Sequence, residues 1–491
     1  MDRPFRITAV MLFTAITFLV AGELAAGTQL EFVAMMAGTI GCIAVTFNLL
    51  GGLKTISGIG FTCFALFTIV ISQFAKVLFF EAADKNLEAP NLTIKVYLVF
   101  YFCIMVGTFV YGRLRIRLIK PLEPESEAQI DLQYTVSLIA GFFGNALFVF
   151  YNAQVSAAGK AATGHGVGLA LEALLPYSLV LAVFSRIRES DGEHSFGLRA
   201  FIPWLSLVIF GLIGTGRGPI MLPSIIYAVT CYTSGYQFKK RHYIVGITGL
   251  ILFFAFISPI EIYLRGNITG EDLNSRIGDI VTAVRNMPSL AVVRQFSRGG
   301  TGSGSREEYY DRPGTFELSR VSAIRADSNM ISATSTGFHY GFTALKNDAL
   351  HNVPHFLYPN KPEEDSGGYL GRVTGVNADW VDNEEVMITA ISDSFGAFGW
   401  LGVVVVGGVV YPACFVLYES LFDLRKPWGV LALGGFAYTL WGANMGSLML
   451  ILTRTPLILI AFSYVVGGVV SMIPVKGAKG ERMSGASASE A

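Results

Sequence analysis

The chain has 491 residues, of which 52% are hydrophobic, 13% aromatic and only 15% charged. Soluble domains carry about 25% charge, so this composition excludes a water-soluble globule, and glycines without a fixed period exclude a collagen-like fibre. The 36 Lys and Arg cancel the 36 Asp and Glu, so no net charge points to a nucleic-acid partner.

A hydrocarbon core about 30 Å thick needs roughly 17–25 apolar residues per helical span. Runs of this kind lie near 7–24, 31–51, 56–80, 94–112, 131–152, 167–185, 200–215, 218–235 and 243–263, and again near 389–418, 427–445 and 449–473. They predict an all-α polytopic membrane protein with about twelve transmembrane helices. Nine fall within 1–263 and three within 386–473, and a disordered cytoplasmic tail follows over 474–491. The first run also has the form of a secretory signal, but its length and the parity of the later runs favour a span. Cys42, Cys63, Cys103, Cys231 and Cys414 all lie in apolar runs, where they serve as small hydrophobes.

Orientation follows from the basic residues of the short loops. With the N-terminus inside, the inner segments hold eighteen of them, from Arg3 and Lys54 through Arg113–Lys120 to Arg425 and Lys479. The outer segments hold five: Lys85, Lys95, Lys160, Arg217 and Arg454. Both termini are therefore expected in the cytoplasm. Residues 264–385 lose the apolar runs and carry 12 Lys and Arg against 16 Asp and Glu. The parity puts them outside, as one large extracytoplasmic loop. Helix-like patterning covers 271–296 and 316–350, on either side of the flexible Gly/Ser stretch 298–306.

Ionisable groups at the ends of spans are costly and point to function. Glu172, Arg217, Glu261, Asp393 and Arg454 all fall at outer ends, where each alone also suits a headgroup position. Arg217 stands in Gly214-Thr-Gly-Arg-Gly-Pro219 between two spans joined by almost no loop. Glycines permit close approach of a ligand, Pro219 opens a helix, and a guanidinium pairs bidentately with phosphate oxygens. The loop supplies Arg320, Arg325, Asp327 and His339, then the proline-stiffened Asn352-Val-Pro-His355-Phe-Leu-Tyr-Pro-Asn-Lys361-Pro. Histidine or a carboxylate can accept a proton there, and cationic side chains can stabilise a phosphate leaving group. No His/Cys/Asp spacing suits a metal, and no phosphate-binding loop, zinc-protease helix or serine elbow occurs. No metal or cofactor is expected.

Three of these segments resemble, in order, the motifs of bacterial O-antigen and exopolysaccharide polymerases, the oligosaccharide-repeat-unit polymerases. Gly-Thr-Gly-Arg217-Gly is similar to their small-residue/Arg/Gly motif. Asn352–Pro362 resembles their late-loop signature, with His355 standing where the family usually has Arg. Asp393-Ser-Phe-Gly-Ala-Phe-Gly-Trp-Leu-Gly402 resembles their acidic residue followed by Phe-Gly-x-x-Gly, with Asp where Glu is frequent. The resemblance implies a multi-pass protein of the bacterial inner membrane. It implies metal-independent glycosyl transfer from polyprenyl-pyrophosphate-linked repeat units at the outer face. Arg217, with Arg320 or Arg325 and Lys361, would hold the diphosphate. Asp327, His339 or His355 would accept a proton from the attacking sugar hydroxyl, and Asp393 is a further candidate catalytic residue. The expected partners are the lipid-linked oligosaccharide, the bilayer, and other assembly proteins such as a chain-length regulator or flippase. Rival readings are an oligosaccharide ligase, built from the same parts, and a polysaccharide transporter or flippase. The latter predicts midplane charges and internal repeats, neither of which the sequence has.

Overall fold

The computed structural model describes residues 6–112, 114–158, 171–213, 217–252, 278, 282, 323–337, 339–353, 358, 388–442 and 444–473. Among these residues the chain is helical, with no strand. In the first half, α1 is Ala9–Ala25, α2 Leu30–Leu49, α3 Ile56–Leu78, α4 Pro90–Tyr111 and α5 Glu127–Ala158. Next come α6 (Leu174–Glu189), α7 (Leu198–Ile213), α8 (Arg217–Thr233) and α9 (Lys240–Leu252). The polar loop contributes α10 (Ile324–Thr334) and α11 (Thr343–Asn352). The last part is α12 (Ala390–Leu421), α13 (Pro427–Trp441), α14 (Met445–Leu452) and α15 (Arg454–Met472).

Among the described residues six stretches are long and apolar enough to cross a bilayer: α2, α3, α4, Glu127–Phe150, α12 and Met445–Met472. Ala9–Ala25, Leu198–Ile213, Pro219–Thr233 and Pro427–Ala437 are shorter apolar helices. Phe13, Phe109, Leu401 and Leu457 face outward on four different helices. So much exposed apolar surface is stable against lipid, not water. The chain is a multi-pass membrane protein.

The centre of the bundle is formed by α3, α4, α12 and α13, with α2 behind α4. Aromatic side chains from all four central helices meet there. Phe64 of α3 lies 4.9 Å from Tyr411 of α12, and Tyr418 of α12 stacks at 4.1 Å on Phe436 of α13. Offset and edge-on ring pairs of this kind add about 0.5–1.5 kcal/mol each beyond their buried area. Close approach depends on a missing side chain: a Cβ on Gly107 of α4 would overlap the backbone carbonyl of Gly408 in α12. Helices α5 to α8 form a second group, joined to the first where Tyr177 of α6 stacks at 3.9 Å on Trp428 of α13. All five cysteines are free and buried or half-buried, as expected of small apolar residues.

The predicted helical stretch 316–350 resolves, from 323 onward, into two helices. The chain turns between them, with Gly337 and Gly341 at φ 93° and 61°. The stretch predicted over 271–296 lies outside the described residues, except for 278 and 282. The apolar run near 449–473 begins earlier than its hydropathy suggested. Asn444 caps α14 by accepting from Ser447 N at 2.8 Å, and the chain breaks at Thr453 before α15.

The loop helices are not suspended in solvent. Helix α10 packs on α12 and α4, and α11 packs on α14. In a chain stripped of its native thiols, a cysteine replacing the exposed Thr336 should react with an impermeant maleimide in intact cells. One replacing Glu193, in the turn between α6 and α7, should react only after lysis. The opposite labelling pattern would reverse the topology.

Candidate functional site

One end of the bundle is organised around two aspartates. Asp327 lies in the first turn of α10 and is wholly buried. Its Oδ1 accepts from Thr389 N at 2.9 Å and Ser392 Oγ at 2.5 Å. Its Oδ2 accepts from Tyr97 OH and Thr389 Oγ1, both at 2.5 Å. Thr389 is also the N-cap of α12, so the carboxylate sits at the positive end of that helix dipole. Burial raises the Asp327 carboxyl above its ordinary range, and the donors from Ser392, Thr389 and Tyr97 pull it back. The neighbouring Ser328 Oγ accepts from Ala89 N at 3.1 Å and from Thr93 Oγ1 at 3.0 Å, tying α10 to the start of α4.

Asp393 is equally enclosed. Tyr340 OH donates to its Oδ1, and Met445 N, the first residue of α14, donates to its Oδ2 at 2.7 Å. Asp327 thus holds the N-cap residue of α12, and Asp393 accepts from the first amide of α14 beside its Asn444 cap. Asp348 of α11 lies over Gly446 in the same first turn of α14, where a Cβ would overlap its carboxylate.

Helix α12 breaks at Gly399, whose φ of 61° and ψ of −145° are forbidding for any residue with a side chain. A break leaves the carbonyls of the preceding turn without helical partners. Here the 339–341 segment supplies the donors. Gly396 O accepts from Tyr340 N at 3.3 Å, and Ala397 O accepts from Gly341 N at 3.1 Å. His339 Nδ1 lies 3.2 Å from the same Gly396 carbonyl. A carbonyl can only accept, so the contact assigns the proton of the neutral imidazole to Nδ1 and leaves the Nε2 lone pair open. The ring is exposed and rests on Gly399, with the edge of Phe395 at 6.2 Å.

The structure therefore brings Asp327, His339 and Asp393 together at the first turns of α12, with the half-buried Arg325 on the first turn of α10. It divides their roles. Asp327 and Asp393 have both oxygens occupied by protein donors and are positioned to hold helices rather than to take a proton from a ligand. His339 is the candidate with an open acceptor. Arg217 begins α8, which packs on α13; its side chain lies outside the described residues, as do Arg320, His355 and Lys361. Sequence reading missed Tyr97, Tyr340, Thr389 and Ser392. The polar Thr389–Ser394 opening of an apolar run was the available signal for the last two, whereas a tyrosine inside a span gives none.

Asp327→Ala should lower the melting temperature in detergent strongly, because several buried donors lose their acceptor at a cost on the order of 3 kcal/mol. His339→Ala should melt like the parent. Equal melting of the two variants would remove Asp327 from its role as a clasp. Comparison with protein-family models, curated proteins and solved structures returns no match to this chain.

Proposed function

We propose that this protein is a polymerase of lipid-pyrophosphate-linked oligosaccharide repeat units, acting at the outer face of the bacterial cytoplasmic membrane. In this reading it has about twelve spans, both termini in the cytoplasm and the 264–385 loop outside. Support comes from the ordered resemblance of its three segments and from the basic asymmetry of its loops. The observation that carries most weight is the join between loop and bundle. The Phe398-Gly399-x-x-Gly402 segment breaks α12, and the freed Gly396 carbonyl holds an exposed imidazole where the loop helices meet the bundle.

In the proposed reaction, a hydroxyl of the acceptor sugar loses its proton to His339 Nε2. Its oxygen attacks the anomeric carbon of the donor glycan. The bond from that carbon to the pyrophosphate oxygen breaks, and the polyprenyl diphosphate leaves with the electron pair. Arg217, Arg320, Arg325 and Lys361 are assigned to the diphosphate, whose negative charge must be stabilised in the transition state. Asp327 and Asp393 act as positioning residues: they fix α10 and α14 against α12 and so fix the imidazole.

Deletion of the gene should cause lipid-linked single repeat units to accumulate; accumulation of long chains would identify a ligase instead. Arg217→Lys should lose most polymer formation despite retaining the charge, because an ammonium cannot make the bidentate contact. Unchanged polymer formation would remove Arg217 from the diphosphate site. A base works only when unprotonated, so the rate should fall on the acid side. With purified enzyme and a lipid-pyrophosphate donor, His339→Ala should lower the rate by 10²–10⁴-fold, roughly the range for a general base, and abolish that acid limb. A variant that keeps both rate and limb would overturn the assignment.

A further inference from the structure

At the opposite end of α12 from Asp393, three connections meet. One is the turn from Leu50 to Thr55 between α2 and α3. The second is the extended stretch 114–126 between α4 and α5. The third is the turn 422–426 between α12 and α13. The middle stretch is strapped across the end of the bundle by its backbone: Ile116 N donates to Ser420 Oγ at 3.1 Å, and Leu122 N to Ser463 Oγ at 2.9 Å. Tyr464 OH adds a bond to Lys120 O at 3.3 Å.

Between the three connections lies a cavity of about 330 Å³. Each connection contributes one cation to its lining: Lys54, Lys120 and Arg425. Two acidic residues also line it, and both are engaged in holding its walls. Glu419 Oε1 accepts from Ser57 N at 3.0 Å and from Ser57 Oγ at 2.8 Å, which fixes the start of α3 to the end of α12. Asp423 Oδ1 accepts from Arg425 N at 3.0 Å and shapes its own turn. Among the described residues neither Lys120 nor Arg425 is in a salt bridge. A smaller cavity on the other side of Glu419 carries a fourth cation, Arg115.

Lys54, Lys120 and Arg425 are all exposed, and with Glu419 and Asp423 in the same lining one positive charge is left over, which an anion entering from solvent can offset. The volume lies at the lower end of the range for small-ligand sites, large enough for a phosphodiester with its glycerol and too small for a sugar polymer. The cations lie at the end of a helix bundle whose flanks face lipid, where basic side chains meet anionic headgroups.

We propose that this cavity binds the phosphate of an anionic headgroup, with Lys54, Lys120 and Arg425 as its cationic contacts. The site is remote from Asp327 and Asp393, and its occupancy does not depend on the polymerase reading. Binding there clamps the 114–126 stretch and the 422–426 turn to the start of α3.

Full-length protein in nanodiscs or detergent would be titrated with phosphatidylglycerol, with phosphatidylcholine, and separately with inorganic phosphate, following melting and lipid retention by native mass spectrometry. Phosphatidylglycerol should stabilise the parent and phosphatidylcholine should not. K120Q/R425Q should bind phosphatidylglycerol roughly thirtyfold more weakly, the value for two interfacial cations, while melting like the parent without it. The matched double variant K239Q/K240Q, on another connection, should bind like the parent, and K120R/R425K should restore most of the affinity. A response to phosphatidylglycerol alone assigns a lipid headgroup; an equal response to inorganic phosphate assigns the same cations to a soluble phosphate. Equal losses in the two neutralised variants, or none in K120Q/R425Q, would overturn the site.

Discussion

A carboxylate cannot be withdrawn from water unless its charge is met by donors. Asp327 meets that condition with three side chains and a backbone amide drawn from α4 and α12. The architecture of this end of the bundle depends on this arrangement. It pins α10, part of a polar loop, against helices that lie in lipid, and it fills the N-terminal end of α12 where a dipole would otherwise face an apolar surround. Asp393 repeats the device one turn later at α14. Two aspartates therefore tie the loop helix α10 and the start of α14 to a broken α12, and the exposed groups between them can be held at fixed positions.

The central helices solve a different problem. Lipid removes the hydrophobic drive for helices to associate, so contact must come from shape. Aromatic rings from α3, α4, α12 and α13 provide area, and the bare backbone at Gly107 and Gly408 provides proximity. The short π-helical turn Val406–Val410 falls where α4 passes closest, and after it Phe415 meets Phe61 of α3 and Tyr418 stacks on Phe436 of α13. The two aspartates are thus mounted on a packed and apolar stem.

Much of the fold was legible in the sequence because lipid imposes a single strong pattern. Where they are described, the long apolar runs are helices, and the described part of the polar stretch is two short helices packed on the bundle. Boundaries were less legible where backbone chemistry, not hydropathy, decides them. The break at Thr453 and the start of α14 at Met445 depend on the Asn444 cap, and the division of 316–350 depends on Gly337 and Gly341. At this end of the bundle, residue type singled out Asp327, His339 and Asp393 but not how their surroundings differ. An enclosed carboxylate and an exposed imidazole look alike as letters. Burial and donor count separate them, and both arise from contacts across more than fifty positions of chain.

The imidazole of His339 is oriented by a main-chain carbonyl, where many histidines rely on an acidic side chain. That carbonyl is available because glycine at 399 interrupts a helix. Its heritable determinant is therefore spread over positions that carry no functional group. Random mutagenesis that scores for misaligned imidazole would recover changes at Gly396 and Gly399, and a hunt for a histidine–carboxylate couple would pass over this one. Transplanting the histidine into another scaffold would likewise fail unless the interrupted helix travelled with it.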